Sequence, residues 1–503
     1  MKRSTSGLIL SALLLILLLA ACRTPAPVAT LTPPELPPPQ FHEGREIYRL
    51  ALQEFAQPVL AELPGATEYR LDLVIASDYR SLQGHEVIRY TNRESENLAE
   101  IYLRLFPNIA GGNLTVSNVT IAAQPVQPVE EANRSALRLP LAESLVPGAG
   151  VDIELDFWLV LPEEMGGNYG LLGFFDDVLV LDTFYPVIPV YDDQGWHAAI
   201  PPGNGDLPYY DVSFYQVRVA APAALVLAAS GIEAAHEIQA DWQTTTYVIG
   251  PARDFYLAGS ELFQRTSETI AGVTITSYAL PEWEASSHQA VDIVAASLEH
   301  YGTRFGRYPY TDFDIVSTPM LALGIEYPAI TAINLELYDP NTIIRGIPAQ
   351  LMFESVTAHE MAHQWFYNLV GNDQIGEPWL DEALAQYCTY LYYLDAHDLA
   401  AADEYRGEWI SRWARVNQED IPIGLSSGEY AANEYSPIVY GRGPVFLFTL
   451  AETMGADRFD SFLATYARTY QWEIATTTGF KTMAEQACAC DLTPLFTEWV
   501  YGP

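Results

Sequence analysis

The sequence predicts an α+β fold, in which an antiparallel β-sheet domain precedes a mainly helical domain. Short segments that alternate apolar and polar residues recur from residue 69 to about residue 258. Turn-forming residues separate them, which is typical of antiparallel sheets. Beyond residue 262 the apolar residues fall instead at helical spacing. We therefore expect a β domain at 42–260 and a helical domain at 261–503.

The individual elements follow from the same two periodicities. The expected strands are 69–75, 84–90, 101–106, 151–157, 215–219, 246–249 and, in the second domain, 313–316. The β domain is expected to begin with a leading helix at 43–63, which Pro58 kinks or divides. The other expected helices are 285–305, 349–370, 378–393, 404–416, 444–454 and 458–470.

Composition narrows the class of protein. Of 503 residues, 49% are hydrophobic and 18% are charged, which is typical of a globular chain of two or three domains. Lys plus Arg number 25 against 64 Asp plus Glu, a net charge of −39. This excess repels phosphate groups, so neither nucleic acid nor an anionic lipid surface is an expected partner.

The N-terminus has the pattern of an export signal at 1–22. Lys2 and Arg3 precede an apolar run at 8–19 that is too short to span a bilayer comfortably. The tetrad LAAC, which ends at Cys22, resembles the lipobox of bacterial lipoproteins. That resemblance implies a lipid on Cys22 and an extracytoplasmic location on a bacterial membrane, at the cell surface or in the periplasm. An ordinary secretory signal with an incidental cysteine is the alternative.

The next segment, 23–41, is rich in proline and is expected to be an extended tether. Cys388, Cys488 and Cys490 remain for pairing. An exported protein can form one disulfide from these three, and Cys388 with one of the C-terminal pair is one possibility. The sequence leaves the pairing open.

A histidine pair at helical spacing carries the main chemical signal. Residues 359–363 read HEMAH. Residues four apart on a helix point in similar directions, so the imidazoles of His359 and His363 can converge on one metal ion. Neutral imidazoles suit Zn²⁺, which in catalytic sites takes three protein ligands and a water molecule. Glu360 lies between them, where it can act as general base toward that water.

A third ligand is expected on the next helix. Eighteen residues separate His363 from Glu382. A helix that runs antiparallel to the first across a short connection can return this carboxylate to the metal. The alternatives are a polar helix face with two ordinary histidines and a surface carboxylate at Glu382.

Several motifs together resemble the M1 family of zinc metallopeptidases, the gluzincin group of aminopeptidase N and leukotriene A4 hydrolase. The segment HEMAHQWF at 359–366, followed by Glu382, is similar to the family's metal motif. LGIEY at 323–327 resembles its Gly-Ala-Met-Glu-Asn motif, and YGRG at 440–443 resembles its Tyr-x-Lys-Gly segment. The resemblance spans roughly residues 65–500. It implies a saddle- or sandwich-shaped β domain, a thermolysin-like catalytic domain and one Zn²⁺ per chain.

The resemblance also implies roles for individual residues. Glu326 would bind the α-amine of the substrate, and the backbone at Gly324 would position it. Tyr440 would donate its hydroxyl to the oxyanion of the tetrahedral intermediate. Leu323 and Tyr327 replace a glycine and an asparagine of the motif, and no family amine-binding residue is identifiable near 181–186. Amine recognition is therefore expected to rest on Glu326 alone.

The function that these residues predict is that of a metallo-aminopeptidase anchored through Cys22. Zinc-activated water, Glu360 as general base and Tyr440 as oxyanion stabiliser would release N-terminal residues from peptides with a free N-terminus. The sequence ends soon after the catalytic domain, so we expect no C-terminal helical domain of the kind many relatives carry, and a more open cleft. An open-cleft endopeptidase or tripeptidase is one alternative. A catalytically dead, peptide-binding surface lipoprotein is the other.

Overall fold

The computed structural model describes residues 38–207, 209–344 and 346–502. Within these ranges a multi-sheet β half precedes a helical half, which confirms the predicted fold class. The predicted signal sequence, the lipidation of Cys22 and most of the tether lie outside the described residues. No helix of the described ranges is long and apolar enough to cross a membrane.

The main sheet of the β half has eight strands. Their spatial order is Ile232–Gln239, Trp242–Ala252, Ser213–Pro222, Thr67–Ile75, Ser81–Thr91, Gly150–Val160, Asn113–Ile121 and Gln124–Pro125. Thr67–Ile75 and Ser213–Pro222 run parallel, unlike the other neighbours in this sheet. The expected antiparallel sheet is therefore mixed at this pair, because a long connection rather than a hairpin joins the two strands.

Smaller sheets complete the β half. One has four strands in the order Val226–Ala229, Leu257–Ser260, Val178–Leu181 and Leu172–Phe175, and another has Leu98–Arg104, Ala136–Leu145 and Val129–Glu131. A short hairpin pairs Tyr191–Asp192 with Gly195–Trp196. Alternate residues of Ser81–Thr91 and Gly150–Val160 are buried, as their period-two pattern predicts.

The helical half contains a five-stranded sheet, of which the sequence predicted one strand. Its order is Gln264–Ile270, Val273–Ala279, Asp312–Thr318, Ile330–Asn334 and Gly324–Tyr327. Gly324–Tyr327, which we call the edge strand, runs antiparallel to Ile330–Asn334. Ile343–Ile344 pairs with Ile347–Pro348 in a separate hairpin.

Seven longer helices pack around this sheet: Glu284–Phe305, Ala349–Ala362, Trp379–Ala396, Leu399–Trp413, Gly443–Met454, Ala456–Thr469 and Thr477–Cys488. Shorter helices are Val59–Glu62, Leu335–Tyr338, Tyr435–Pro437 and Thr493–Phe496, and π-type turns occur at Ile438–Arg442 and Thr497–Tyr501. Short 3₁₀ turns are Glu46–Ala51, Glu54–Ala56, Phe106–Asn108, Ala132–Arg134, Asn168–Gly170, Pro281–Trp283 and Ala414–Val416. We call Ala349–Ala362 the histidine helix and Trp379–Ala396 the glutamate helix.

Two expected helices differ from the structure. The helix expected at 349–370 ends at Ala362, because the N–H groups of Gln364 and Trp365 bond to carbonyls three residues back, and the N–H groups of 368–370 bond to carbonyls five residues back. The leading helix expected at 43–63 is instead a series of single turns. Leu52 there is extended and bridges to Tyr310, so a tertiary contact overrides helical periodicity.

The cysteines pair differently from the possibility that the sequence suggested. Cys488 bonds to Cys490, and Cys388 is a free, buried thiol in the glutamate helix. Cys388 is fully buried, and the two C-terminal cysteines are already bonded to each other. A disulfide from Cys388 to either of them is therefore wrong.

Candidate active site

Two buried histidines lie one turn apart at the end of the histidine helix. The Nε2 atoms of His359 and His363 are 3.2 Å apart, and their ring planes meet at 89°. Both side chains are buried. The four-residue spacing thus brings the imidazoles to one point, as the sequence predicted.

Glu382 reaches the same point from the first turn of the glutamate helix. Its Oε2 lies 3.2 Å from Nε2 of His359 and 3.6 Å from Nε2 of His363. With the 3.2 Å between the histidines, the three atoms form a nearly regular triangle. Tetrahedral Zn²⁺, with bonds of about 2.0–2.1 Å, spaces its ligands roughly 3.3 Å apart. This donor set therefore fits a zinc ion.

Contacts behind each ring orient it toward the triangle. Nδ1–H of His363 donates to the carbonyl oxygen of Phe366 at 3.0 Å, which leaves Nε2 to face the other two donors. Nδ1 of His359 lies 3.4 Å from the side-chain amide of Gln386, and that amide accepts a hydrogen bond from the Tyr405 hydroxyl at 2.6 Å. Such outer contacts fix which ring nitrogen is available to a metal.

Charge in the cluster is unevenly shared. Burial lowers the pKa of His359. Burial also opposes charge on His363, but the negative charge of Glu326 and the contact with Glu382 outweigh it and raise the pKa of His363. For Glu382 burial is outweighed by its hydrogen bonds to the two histidines, so its pKa is lowered. Metal binding requires neutral imidazoles, so protons on these two histidines compete with a metal ion for the site.

Glu360 lies on the histidine helix against the edge strand. A β-carbon at Gly324 would lie only 2.5 Å from Oε1 of Glu360. Burial raises the pKa of Glu360, the positive charge of His363 lowers it, and the nearby carboxylates Glu326 and Glu382 raise it further. The ligand-type atoms of Glu326, Glu360 and His363 lie within 4.8 Å of one another. The structure thus brings Glu360 and Glu326 to the same side of the cluster.

The edge strand holds Glu326 beside the histidine helix. Gln364, the residue after His363, donates from Nε2 to the carbonyl of Tyr327 at 2.9 Å and accepts the N–H of Ala329 at 3.1 Å. Through these two bonds, one side chain joins the turn after the histidine helix to the end of the edge strand and the turn that follows it. Glu326 itself is buried, and its carboxyl group contacts Gln374.

Tyr440 lies on the π-type turn Ile438–Arg442, on the Glu382 side of the cluster. Its hydroxyl donates to Oε1 of Glu382 at 2.5 Å, and its ring centroid is 6.1 Å from that of His359. Burial, followed by the negative charge of Glu382, raises the pKa of the hydroxyl well above its usual range. Tyr440 is therefore a hydrogen-bond donor at any physiological pH.

Three residues near the cluster were missed from the sequence. Gln374 and Asp381 hydrogen-bond to each other at 2.8 Å next to Glu326. Asp206 comes from the β half; its pKa is raised by burial and then by the charges of Glu326 and Glu382. Its neighbour Asn204 donates to the carbonyls of 427 and 430 at 3.2 Å, which ties the loop to the helical half. Of these three residues, only Asp381 could have been found from the sequence, because it is adjacent to the expected metal ligand Glu382.

The part of the chain that contains these residues is similar to known proteins. Residues 289–499 match the peptidase family M1 domain. The "Probable aminopeptidase 2" of Sulfurisphaera tokodaii is 23% identical over 275 residues, which is 52% of this chain and 35% of the relative. Endoplasmic reticulum aminopeptidase 2 of Homo sapiens is 25% identical over 215 residues, 41% of this chain and 22% of the relative. The chain thus spans about a third or less of the length of these curated relatives.

Solved structures share the fold over most of their length. The M1 zinc metallopeptidase from Deinococcus radiodurans is 20% identical with a TM-score of 0.66, and the match covers 87% of this chain and 94% of that one. A mutant of that protein bound to a Tyr-Ser-Ala substrate has a TM-score of 0.62 at 21% identity, with 86% and 94% covered. Residues 289–499 therefore match a peptidase family M1 domain, and the fold over most of the chain is like that of these M1 zinc metallopeptidase structures.

Proposed function

We propose that this chain is a zinc-dependent aminopeptidase that removes N-terminal residues from peptides. The observation that carries the proposal is the donor triangle of His359, His363 and Glu382, with edges of 3.2, 3.2 and 3.6 Å. Two further buried carboxylates, Glu360 and Glu326, adjoin it. The aminopeptidase names of the relatives point to the same activity.

Glu326 is the proposed site for the α-ammonium group of the substrate. A buried carboxylate forms a strong charge-assisted pair with an ammonium, and this pair would hold the first peptide bond beside Glu360. Glu326 and Glu382 together create a negative potential in the cleft, which also raises the pKa of the buried Asp206. Peptides with a free N-terminus are therefore the proposed substrates.

The chain's own groups supply the proton transfers. Zinc, held by the triangle, would polarise the scissile carbonyl and lower the pKa of a water molecule to about 7. Glu360 accepts the proton of the attacking water on its carboxylate and passes it to the nitrogen of the leaving amine. The Tyr440 hydroxyl, which donates to Oε1 of Glu382 in the structure, would turn to donate its hydrogen bond to the oxyanion that develops on the carbonyl oxygen.

The test compares wild type with Glu360→Gln on aminoacyl-arylamides, with and without a chelator. Glutamine keeps the size of the side chain but cannot take a proton, so we expect kcat to fall about a thousandfold while zinc content stays near one per chain. Chelation should abolish the activity and added Zn²⁺ should restore it. Activity that survives either change would overturn the proposal.

N-acetylated substrates decide between the proposed activity and the alternatives. An aminopeptidase that uses Glu326 leaves them uncut, whereas an open-cleft endopeptidase cleaves them internally. A protein that binds peptides and zinc but cleaves neither free nor N-acetylated peptides would match the catalytically dead, peptide-binding alternative.

We also propose that the protein acts outside the cytoplasmic membrane, anchored through a lipid on Cys22. The support is the sequence pattern of residues 1–22. Wild type should fractionate with bacterial membranes and enter detergent, and Cys22→Ser should not. Equal fractionation of the two would exclude the anchor.

A further inference from the structure

Gln374 lies in the connection between the histidine and glutamate helices and bridges two carboxylates. Its Nε2 donates to Oε1 of Glu326 at 3.0 Å and to Oδ2 of Asp381 at 2.8 Å. The side chain is 2% exposed. Oδ1 of Asp381 in turn accepts the backbone N–H of Glu382 at 2.8 Å. One amide therefore links the proposed amine-binding carboxylate to the helix that carries a metal ligand.

The orientation of the amide follows from its neighbours. Nε2 of Gln374 lies within hydrogen-bonding distance of both carboxyl groups, so the NH₂ group faces Glu326 and Asp381, and its oxygen faces away from them. Within the described part of the chain that oxygen, Oε1, is buried and has no hydrogen-bond partner. A buried acceptor without a donor is unfavourable, and a donor from a ligand would relieve this.

The loop that carries Gln374 is itself held rigidly. Oδ1 of Asp373 accepts the N–H groups of Ile375 and Gly376 at 3.0 and 2.9 Å. The carbonyl of Ile375 accepts the N–H of Ser427 at 2.8 Å. Gln374 thus projects from a fixed backbone, and its amide can impose a position on the carboxylates it contacts.

We propose that Gln374 is a positioning residue that acts as one unit with Glu326 in recognising the substrate's N-terminal ammonium. The proposal rests on the proposed function. One carboxylate oxygen of Glu326 is held by Nε2 of Gln374, which sets the direction of the other. The same NH₂ group also holds the carboxyl group of Asp381. Without it the carboxylate of Glu326 loses its orientation, and the ammonium loses its partner.

The test is a double-mutant cycle with Gln374→Met, Glu326→Gln and the double variant, on an aminoacyl-arylamide. Methionine keeps the length of the side chain and removes both hydrogen bonds. We expect Gln374→Met to raise KM about tenfold with kcat changed at most a few-fold, because ammonium binding is lost and not the chemistry. In the Glu326→Gln background the same change should alter KM less than about twofold, because residues that act as a unit are not additive.

The control is Gln243→Met, which removes a buried amide that donates to the carbonyls of Pro222 and Leu225 at 3.1 and 2.5 Å. It should lower the unfolding temperature without changing KM. If Gln374→Met does not fold, Gln374→Asn keeps the amide but withdraws it by one methylene, and its KM gives the same test.

Two results would overturn the proposal. Additive effects in the cycle would show that Gln374 acts independently of Glu326. Loss of zinc in Gln374→Met at unchanged KM would show that its role is to support Asp381 and the metal site. A wild-type protein without any aminopeptidase activity would instead count against the proposed function.

Discussion

The backbone of Gly324 lies against the carboxyl group of Glu360, with no room between them for a methyl group. A β-carbon there would be 2.5 Å from Oε1 and 2.7 Å from Cγ of Glu360. Gly324→Ala should therefore push the carboxyl group aside by several tenths of an ångström or more. We expect kcat to fall about a hundredfold in steady-state assays, because misplacement of a reacting group by about 1 Å costs that much.

A second glycine gives the matched control for this change. Gly302, in helix Glu284–Phe305, has nothing within 4 Å of its would-be β-carbon. Gly302→Ala should leave kcat unchanged and slightly stabilise the helix. If both variants keep full activity, Gly324 is not needed to make room for the base.

Gln386 should tune metal affinity through His359. Nε2 of Gln386 faces Nδ1 of His359 at 3.4 Å, and the amide oxygen faces Tyr405. When a metal occupies Nε2 of His359, the ring proton sits on Nδ1, and a flip of the Gln386 amide would present its oxygen to that proton. Gln386→Met removes this acceptor. We expect the affinity for Zn²⁺, measured by competition with a chromophoric chelator, to fall about 10- to 100-fold, as for other outer contacts of metal-binding histidines.

The Tyr405 hydroxyl, which donates to Gln386 at 2.6 Å, allows a graded comparison. Tyr405→Phe leaves the amide in place but frees it to rotate, so it should lower Zn²⁺ affinity less than Gln386→Met does. Unchanged affinity in both variants would mean that His359 needs no orienting partner.

At the residue scale the sequence predicted those site residues whose spacing lies within regular elements. The positions of His359, His363 and Glu382 follow from helical geometry and a short connection, and the structure brings them together. Gln374 and Asp206 come from loops, whose paths no periodicity describes. Their place beside Glu326 depends on loop contacts such as those of Asn204.

Among the elements, the π-type turn Ile438–Arg442 carries Tyr440 and depends on Arg442. The Arg442 guanidinium is 1% exposed and donates to the carbonyls of Ile421, Trp499 and Glu498 at 3.1, 2.7 and 3.2 Å. Arg442→Lys replaces a planar fork by a point charge that cannot span these acceptors. We expect the free energy of unfolding to fall by about 2–4 kcal/mol in urea denaturation.

The exposed Arg468 of helix Ala456–Thr469 provides the comparison. Arg468→Lys should change the free energy of unfolding by less than about 0.5 kcal/mol. Arg442 lies on the same turn as Tyr440, so Arg442→Lys should also displace the Tyr440 hydroxyl and lower kcat. Equal stability of the two lysine variants would show that the turn does not depend on the guanidinium.

Sequence periodicity located most long helices but not where each one ends. The histidine helix stops at Ala362, although apolar residues continue beyond it, because Trp365 and Phe366 pack in the core from a turn. The edge strand was also not expected as a strand, since its residues pair with a neighbour that only the tertiary fold supplies. Burial alone does not distinguish these backbone conformations.

At the scale of the whole molecule the two halves share buried polar contacts. Arg253, from the β half, donates to the carbonyls of Tyr367, Asn368 and Glu473 in the helical half at 2.6, 3.1 and 2.8 Å. The fold class followed from the sequence because each half has its own periodicity. The composite site did not, since it depends on how the halves meet.

Asp182 is a buried carboxyl group of the β half and lies near Glu326. Burial raises its pKa to about 7, although a hydrogen bond from Asn168 favours the charged form. Between pH 4 and pH 7 the folded protein therefore holds more protons here than the unfolded chain. By linkage this group lowers the free energy of unfolding as pH rises through that window, by up to roughly 4 kcal/mol.

Asp182→Asn removes this titration while keeping an oxygen to accept from Asn168. The variant should therefore be more stable than wild type at pH 8, and its advantage should shrink steadily toward pH 5 in urea denaturation of the metal-free proteins. Asp177→Asn, an exposed change of the same chemistry, controls for the loss of one negative charge. A stability difference between Asp182→Asn and wild type that does not vary with pH would mean that Asp182 is ionised in the folded state throughout. The buried carboxyl would then be held charged by its neighbours, and the cleft at Glu326 would be one charge more negative at pH 6 than the structure indicates.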